Sequence, residues 1–190
     1  MTKILCHTFI GLLTLGISGC VNSSQSDKPS AWPEKVMSFD ENRFVGVYEN
    51  QGATDPESDQ SEHSNQLFDY LANDGQFKGR RGKYVAIAYS PDQETLEITL
   101  LDKSRRRMDF IALKKNNNYT FTEGTIRIKG RNYIGGNVGG GFEWFDFKLS
   151  KNSSDGLLGE DSRRGAALLF YFLPIAGERT DWLLWPRAGQ

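Results

Sequence analysis

Few residues of this chain have the type and spacing that could support chemistry, and the strongest signal is at Cys20. This cysteine follows an apolar run over residues 4–17 and two small residues. Lys3 supplies a short positive start, and this order of charge, apolar run and small residues is typical of a secretory signal peptide. The run holds 14 residues, whereas a membrane-spanning helix needs about 20 apolar ones. We therefore expect residues 1–19 to direct export and to be removed.

The segment Ile17-Ser18-Gly19-Cys20 resembles the lipobox of bacterial lipoproteins. The resemblance implies that the thiol of Cys20 receives a diacylglycerol group. It also implies cleavage between Gly19 and Cys20 and acylation of the new amine, with palmitate as a typical chain. Two or more acyl chains make membrane attachment stable, whereas a single chain is marginal. The alternative is an unmodified cysteine after a conventional signal peptide.

The residue after Cys20 is Val21. In enteric-type lipoproteins an Asp at that position is the usual signal for retention in the inner membrane. The resemblance therefore implies a bacterial cell-envelope protein that is lipid-anchored in the outer membrane and faces the periplasm or the surface.

Composition limits the other roles that the chain could have. It has 23 Lys and Arg against 24 Asp and Glu, and removal of Lys3 leaves 22 against 24, a net charge of −2. This balance argues against nucleic-acid binding, which needs a basic surface. Both cysteines lie at or before position 20, so the mature domain has no disulfide and no thiolate metal ligand. About 150 residues can stabilise one domain by burial alone.

The chain divides into three parts: a signal peptide (1–19), a lipidated flexible tether (20–38) and a single β-domain (39–190). The tether is rich in Ser, Asn, Asp and Pro, which is typical of a spacer. In the domain, apolar residues at helical spacing over 67–71 predict one short helix near the start. From Lys83 onward, short β-branched and aromatic runs alternate with turn residues, which indicates an antiparallel all-β fold.

The pattern predicts eight or nine strands, closed into an antiparallel barrel or stacked as a two-layer sandwich. Thr95–Leu101 has the clearest alternation of apolar and polar residues. The order of elements resembles that of small lipocalin-like barrels, in architecture only. The predicted strands cover 44–48, 84–89, 95–101, 108–113, 119–122, 125–129, 142–149, 167–173 and 182–185, with a loop over 174–179.

Arg105, Arg106 and Arg107 form the one basic cluster that could bind an anion such as a lipid head group, a glycan or a phosphate. The alternative is a solvated turn between two strands. Further basic residues that the fold could add to this cluster are Arg80, Arg81, Lys83, Arg163 and Arg164.

The remaining candidate sites are weaker. The glycine-rich segment 135–141 is followed by an aromatic strand rather than a helix, which predicts a flexible hairpin or a bent strand and not a phosphate loop. His63 is the one histidine left after cleavage, so we expect an exposed loop residue. The acidic loop 55–62 could bind calcium weakly, since calcium needs several oxygen ligands, but its spacing matches no known calcium loop.

Two further sets of residues bear on catalysis and ligand binding. The acidic pairs Glu160–Asp161 and Glu143–Asp146 need not converge, because alternate residues of a strand point to opposite faces. Six aromatic residues could line a ligand cavity, but we expect them to fill the core. They are Phe142, Trp144, Phe170, Phe172, Trp182 and Trp185.

The sequence therefore predicts no catalytic residues, no cofactor and no metal. It predicts a membrane-anchored envelope lipoprotein whose non-enzymatic β-domain binds an envelope protein, glycan or lipid, or assists envelope assembly. The alternative is a carrier that holds a small apolar ligand or lipid in a barrel cavity. A packed interior would argue against the carrier, and an open apolar cavity of roughly 300 Å³ or more would favour it.

Overall fold

The computed structural model of the chain describes residues 21–25, 27–38, 40–54, 65–72, 81–136, 139–170 and 172–189. Cys20, His63 and the acidic loop 55–62 lie outside these residues. The expectations made for them stay predictions.

The described strands form two sheets around one core, so the domain is all-β as expected. The smaller sheet has four antiparallel strands in the order β2-β4-β5-β6. Its strands are β2 (Gly46–Glu49), β4 (Tyr84–Ser90), β5 (Thr95–Leu101) and β6 (Arg107–Lys114). In β5 the predicted alternation is confirmed, because Leu96, Ile98 and Leu100 are all fully buried.

The larger sheet has seven strands in the order β1-β11-β10-β9-β8-β7, and β3 pairs with β11 beside this path. The pairs are antiparallel except for β1, which runs parallel to β11. Its short strands are β1 (Val21–Gln25), β3 (Ala53–Thr54) and β7 (Thr120–Thr122). Its long strands are β8 (Thr125–Gly136), β9 (Gly139–Lys151), β10 (Leu157–Leu169) and β11 (Leu173–Trp185).

One short α-helix, α1 (Leu67–Ala72), lies where the sequence predicts it. Its apolar side chains are buried, and Tyr70 stacks on Phe147 of β9 at 4.9 Å between ring centroids. Asn50 fixes the start of the helix, because its side-chain oxygen accepts a hydrogen bond from the backbone N–H of Phe68. The helix thereby links the two sheets at the core.

The core lies between the smaller sheet and one part of the larger sheet. Trp185, Tyr48, Phe44 and Phe68 are among its largest fully buried side chains. The strands form two sheets that share this core rather than one continuous ring, an arrangement compatible with the two-layer sandwich.

Several segments differ from the sequence expectations. Residues 167–173 were expected to form one strand, but β10 ends at Leu169 and β11 begins at Leu173. Residues 174–179 were expected to form a loop, yet they belong to β11. Residues 157–166 of β10 were not predicted as a strand, because Gly159, Ser162 and two arginines interrupt any clear apolar pattern.

The segment expected to be a spacer also makes contacts with the sheet. Val21–Gln25 pairs with residues 176–180 of β11. Further along, the backbone N–H of Val36 donates to the carbonyl of Lys151 at 2.9 Å, and Lys35 bridges to Asn152. Described parts of this segment therefore run along the larger sheet.

Candidate functional site

The four long strands extend beyond the smaller sheet, and their burial changes along their length. In β9 the residues near Lys151 are buried, whereas those near Gly139 are half-buried or exposed. The same change occurs in β8, β10 and β11. We refer to residues 133–142 and 166–176 as the apolar end of the sheet. Residues 137, 138 and 171 within it lie outside the described part.

The apolar end has an unusual composition. Neither of its two segments contains a charged residue, although charged residues make up 25% of the whole chain. Among the described residues, eight of the twelve exposed large hydrophobic side chains lie here. They are Tyr133, Ile134, Phe142, Leu168, Phe170, Phe172, Leu173 and Ile175. Single exposed apolar residues are normal on a protein surface, but a contiguous group marks an interaction site.

Both faces of the sheet are apolar at this end. Directly paired residues point to the same face, and successive residues alternate between faces. Ile134, Ala167 and Ile175 therefore share the face that carries the core further along the sheet, the core face. On the opposite, outer face the next row is Tyr133, Phe142, Ala166 and Ala176. A sheet with one solvated face would alternate apolar and polar residues instead.

The turn between β10 and β11 continues this apolar surface. Phe170 and Phe172 are 56% and 76% exposed, and their rings stack at 6.4 Å between centroids. Phe170 has a φ of 53°, a left-handed conformation that non-glycine residues rarely adopt. Turn tips usually carry Gly, Asn, Asp or Ser. The composition of this turn therefore favours contact with an apolar environment.

A cavity of about 440 Å³ lies in the apolar end. Small residues leave this space, since Gly140 pairs with Leu168, Ala166 pairs with Phe142, and Ala176 lies beside Ala166 on β11. Its other lining residues are Gly141, Ala167, Pro174 and Ile175.

The glycine-rich segment forms the hairpin between β8 and β9. At Gly141 a Cβ atom would overlap the backbone oxygen of Ala166 and lie 2.5 Å from the Cβ of Ala167. Glycine is therefore required there because β9 and β10 approach closely. The expectation of a hairpin is confirmed.

A band of charged residues separates the apolar end from the core. It contains Arg131, Glu143, Asp161, Arg163, Arg164, Glu178, Arg179 and Asp181, which we call the charged band. On the core face, Arg163 donates to Asp161 at 2.7 Å and to Glu143 at 3.1 Å. On the outer face, Arg164 donates to Glu178 at 2.9 Å. The band holds four positive and four negative side chains, so it is balanced internally.

Burial has electrostatic consequences within this band. Asp161 is 1% exposed, and this burial raises the pKa of its carboxyl, against the opposing effect of Arg163. Tyr70 lies on the core side, where burial first and Asp161 second raise the pKa of its phenol. The ion pairs therefore lie where the buried part of the long strands ends.

The acidic pairs named from the sequence do not converge. Glu160 and Asp146 lie on the outer face, where they bind Lys148 at 2.6 Å and Arg127. Asp161 and Glu143 lie on the core face and share Arg163. In the described ranges, no group of three or more His, Cys, Asp or Glu side chains could hold a metal ion.

Arg105 and Arg106 lie in the turn between β5 and β6, as predicted, whereas Arg107 is the first residue of β6. Arg105 donates to the backbone oxygen of Gly189 and lies over the ring of Tyr84. Arg106 pairs with Asp102 at 3.5 Å, and Arg107 lies 4.6 Å from the ring centroid of Phe110. Arg163 and Arg164 belong to the other sheet. Anion binding by residues 105–107 stays a prediction.

The expectation that the aromatic residues fill the core was wrong for five of the six. Trp185 is fully buried in the core, whereas Trp182 is half-buried on the outer face. Phe142, Trp144, Phe170 and Phe172 are exposed instead. The signal that sequence reasoning missed is the pair of uncharged segments, 133–142 and 166–176, in a chain that is otherwise rich in charge.

No known protein family, curated protein or solved structure matches this chain. The apolar end must therefore be interpreted from its own chemistry. Among the residues that the structure describes, no helix is long and apolar enough to cross a membrane.

Proposed function

We propose that the chain is a bacterial envelope lipoprotein that acyl chains on Cys20 anchor in the outer membrane. Its β-domain is non-enzymatic and binds an envelope component through the apolar end. The exposed side chains there are apolar and carry no charge. This chemistry favours a lipid or an apolar protein surface over a glycan.

The observation that carries the proposal is the pairing of β1. Val21, the residue after Cys20, pairs with Ala176 in the apolar end. An acyl anchor on Cys20 is thus one residue along the chain from the largest exposed apolar surface among the described residues.

Mass spectrometry tests the anchor. We expect the protein extracted from bacterial membranes with detergent to begin at Cys20 and to carry a diacylglycerol group and an amide-linked acyl chain. Cys20→Ala should abolish the modification. Cys6→Ala is the matched control, because Cys6 lies in the predicted signal peptide and should leave processing unchanged.

Either of two results would contradict the anchor. One is an unmodified thiol at Cys20. The other is a protein that is released into the medium without acyl chains.

The 440 Å³ cavity supports a second candidate function, that of a carrier for one apolar chain. This volume exceeds the roughly 300 Å³ at which small-molecule pockets begin. The cavity lies in the apolar end rather than between the two sheets, so the carrier differs from the barrel carrier expected from the sequence.

Native mass spectrometry tests the carrier. A carrier should release a noncovalent lipid at one copy per chain. Ala166→Leu, which narrows the cavity, should remove that lipid, while Ala112→Leu on β6 of the other sheet should not. A wild-type protein with no such lipid would leave the anchored binding domain as the explanation.

A further inference from the structure

We propose that the apolar end of the sheet enters the lipid monolayer in which the acyl chains of Cys20 are embedded. This inference rests on the proposed function and adds a second point of contact, which fixes the orientation of the domain. The long strands would then stand on the membrane with the core and the smaller sheet held away from it.

The shape of the apolar surface favours lipid over a folded partner. Exposed apolar side chains lie on both faces of the sheet and at the turn between them. A partner protein that packs against one face would leave the other face in water. A lipid monolayer surrounds an inserted hairpin on all sides, so it covers both faces and the turn together.

The register and direction of β1 give a second argument. Val21 pairs with Ala176, and the parallel direction of β1 carries the chain away from the apolar end, so that Gln25 pairs with Thr180. An acyl chain attached one residue before Val21 therefore leaves the protein at the end that we propose to insert. The acyl anchor and the apolar end would therefore contact the same membrane.

The depth follows from the rows of paired residues. Four rows, from the row of Ala166 and Ala176 to the row of Leu169 and Leu173, separate the charged band from the turn. At about 3.4 Å per residue they span about 14 Å, less than half of the about 30 Å hydrocarbon core. The apolar end can therefore enter one leaflet but cannot cross the bilayer.

The edges of the sheet limit insertion further. Strand β7 pairs with β8 only at residues 125–127, so among the described residues no strand pairs with that edge of β8 over residues 128–135. Unsatisfied backbone groups are costly in hydrocarbon. We infer a shallow insertion of about 5–10 Å, typical of interfacial segments, in which Phe170, Phe172 and Leu173 reach the acyl chains.

The residues just above that depth match a membrane interface. Tyr133 and Trp144 are 71% and 44% exposed, and Tyr and Trp are enriched where lipid head groups meet acyl chains. The guanidinium of Arg131 lies 4.8 Å from the centroid of Phe142. Because arginine binds phosphate well, Arg131 can contact a lipid phosphate when Phe142 lies at the interface.

Because the charged band is balanced internally, the proposal predicts how insertion depends on lipid charge and on salt. Its four arginines are matched by four carboxylates, so the attraction to anionic lipid is weak. Insertion should be driven by apolar burial. It should therefore occur in neutral phosphatidylcholine and persist when salt is raised from about 0.1 M to about 1 M, where exposed charges are screened.

The experiment measures the depth of single labelled positions in the acylated protein. Phe172→Cys and Tyr133→Cys carry a fluorophore that is sensitive to polarity, and Ser153→Cys is the control. Ser153 is exposed in the turn between β9 and β10, at the opposite end of the same sheet. Each protein is purified with its acyl chains, which mass spectrometry verifies, and is reconstituted in phosphatidylcholine vesicles.

We expect lipids brominated on the acyl chains to quench the label at position 172 several-fold more than the label at position 153. The label at 133 should be quenched most by bromines near the head group. Neither result should change at high salt. Equal access of aqueous iodide to positions 172 and 153 would overturn the insertion. So would protection of position 172 from iodide without quenching by brominated lipid, which would indicate a second copy of the chain instead.

The two levels of the proposal fail separately. An unmodified Cys20 contradicts the lipoprotein function whatever the labels show. A correctly acylated protein whose position 172 stays in water contradicts the insertion alone.

Discussion

The two ends of the long sheet are built from the same four strands but have opposite surroundings. At the end near the core, Phe147, Leu149, Leu157, Leu183 and Trp185 are buried on one face. The other face of that region is mixed, because Arg127 and Lys148 bind acidic partners there beside the apolar Leu158, Trp182 and Leu184. At the apolar end neither face is polar and neither face is covered by described residues.

The turns differ in the same way. Between β9 and β10, the side-chain oxygen of Asn152 accepts hydrogen bonds from the N–H groups of Ser154 and Gly156, both at 2.9 Å. Asp155 in this turn binds Lys151 and Arg187. Between β10 and β11, the turn presents two phenylalanine rings to its surroundings. The polar side chains of the turn between β9 and β10 suit contact with water, whereas the phenylalanine rings between β10 and β11 suit contact with an apolar medium.

This difference teaches that strand length and burial are set separately. Antiparallel pairing holds the strands together along their whole length, because main-chain hydrogen bonds do not depend on the side chains. Burial stops partway along these strands. Beyond that point the described residues leave the apolar side chains exposed.

The largest effect that we predict is on stability at the core end. Trp185→Ala should lower the free energy of unfolding by about 3–5 kcal/mol, because it removes a fully buried ring and leaves a cavity. Urea denaturation followed by circular dichroism would measure it. Trp144→Ala, beside the apolar end, is the matched control and should cost less than about 1 kcal/mol, because Trp144 is exposed. Equal losses would show that the sheet around Trp144 is packed in solution.

We expect a smaller loss of stability where β9 and β10 approach closely at Gly141. Gly141→Ala should destabilise by about 1–3 kcal/mol, since the added Cβ overlaps the backbone of Ala166. Hydrogen exchange should be faster at the amides of residues 166–169 than in the wild type, because this region can open locally. Gly136→Ala is the control, since its Cβ would meet nothing within 4 Å. If hydrogen exchange were unchanged in both variants, β9 and β10 would have to be further apart at Gly141 than in this structure.

The ion pairs of the polar turn predict a pH dependence. The hydrogen bond from Lys151 is the main cause that lowers the pKa of Asp155 from its ordinary value of 3.8. A carboxyl with a lowered pKa stabilises the fold above its unfolded pKa, and this stabilisation is lost as pH falls through the folded pKa.

Asp155→Asn should therefore cost up to about 1 kcal/mol at pH 7, a small value because the carboxylate is half exposed. The difference from wild type should shrink as pH falls below about 3.8. Unfolding by urea at a series of pH values would measure this. Asp92→Asn, at an exposed site, is the comparison, and a difference for Asp155→Asn that persists at low pH would rule out the ion-pair explanation.

The smallest effect on stability should come from the apolar turn. Phe172→Ser should change the free energy of unfolding by less than about 0.5 kcal/mol, because its ring is exposed. The same change should reduce self-association of the detergent-free protein, measured by sedimentation velocity. Met108→Ser removes an exposed apolar side chain outside the apolar end and should leave self-association as it is. If Met108→Ser reduced self-association more than Phe172→Ser did, the surface that drives self-association would lie outside the apolar end.

Much of the smaller sheet could be predicted from the sequence. The alternation in Thr95–Leu101 and the turn at Pro91–Gln93 depend on neighbours along the chain, and both are observed. The short helix was predicted for the same reason. These features are local, so composition and periodicity are enough to reveal them.

The second half of the larger sheet could not be predicted in this way. Pro174 and Gly177 suggested a loop, yet β11 continues through both because β10 pairs with it from Leu173 to Trp185. The aromatic pattern over 167–173 suggested a strand, yet the chain reverses there. Pairing with a distant strand overrode the local turn signals.

The sequence by itself determined the all-β class, the short helix, the balance of charge and the lipobox-like segment that predicts an anchor at Cys20. It also contained the two uncharged segments, since composition is a property of the chain alone. Only the tertiary structure decided that these segments pair into one sheet end with two apolar faces, and that Val21 pairs beside them. The reason is that exposure depends on what covers a residue, and the smaller sheet covers only one part of the long strands.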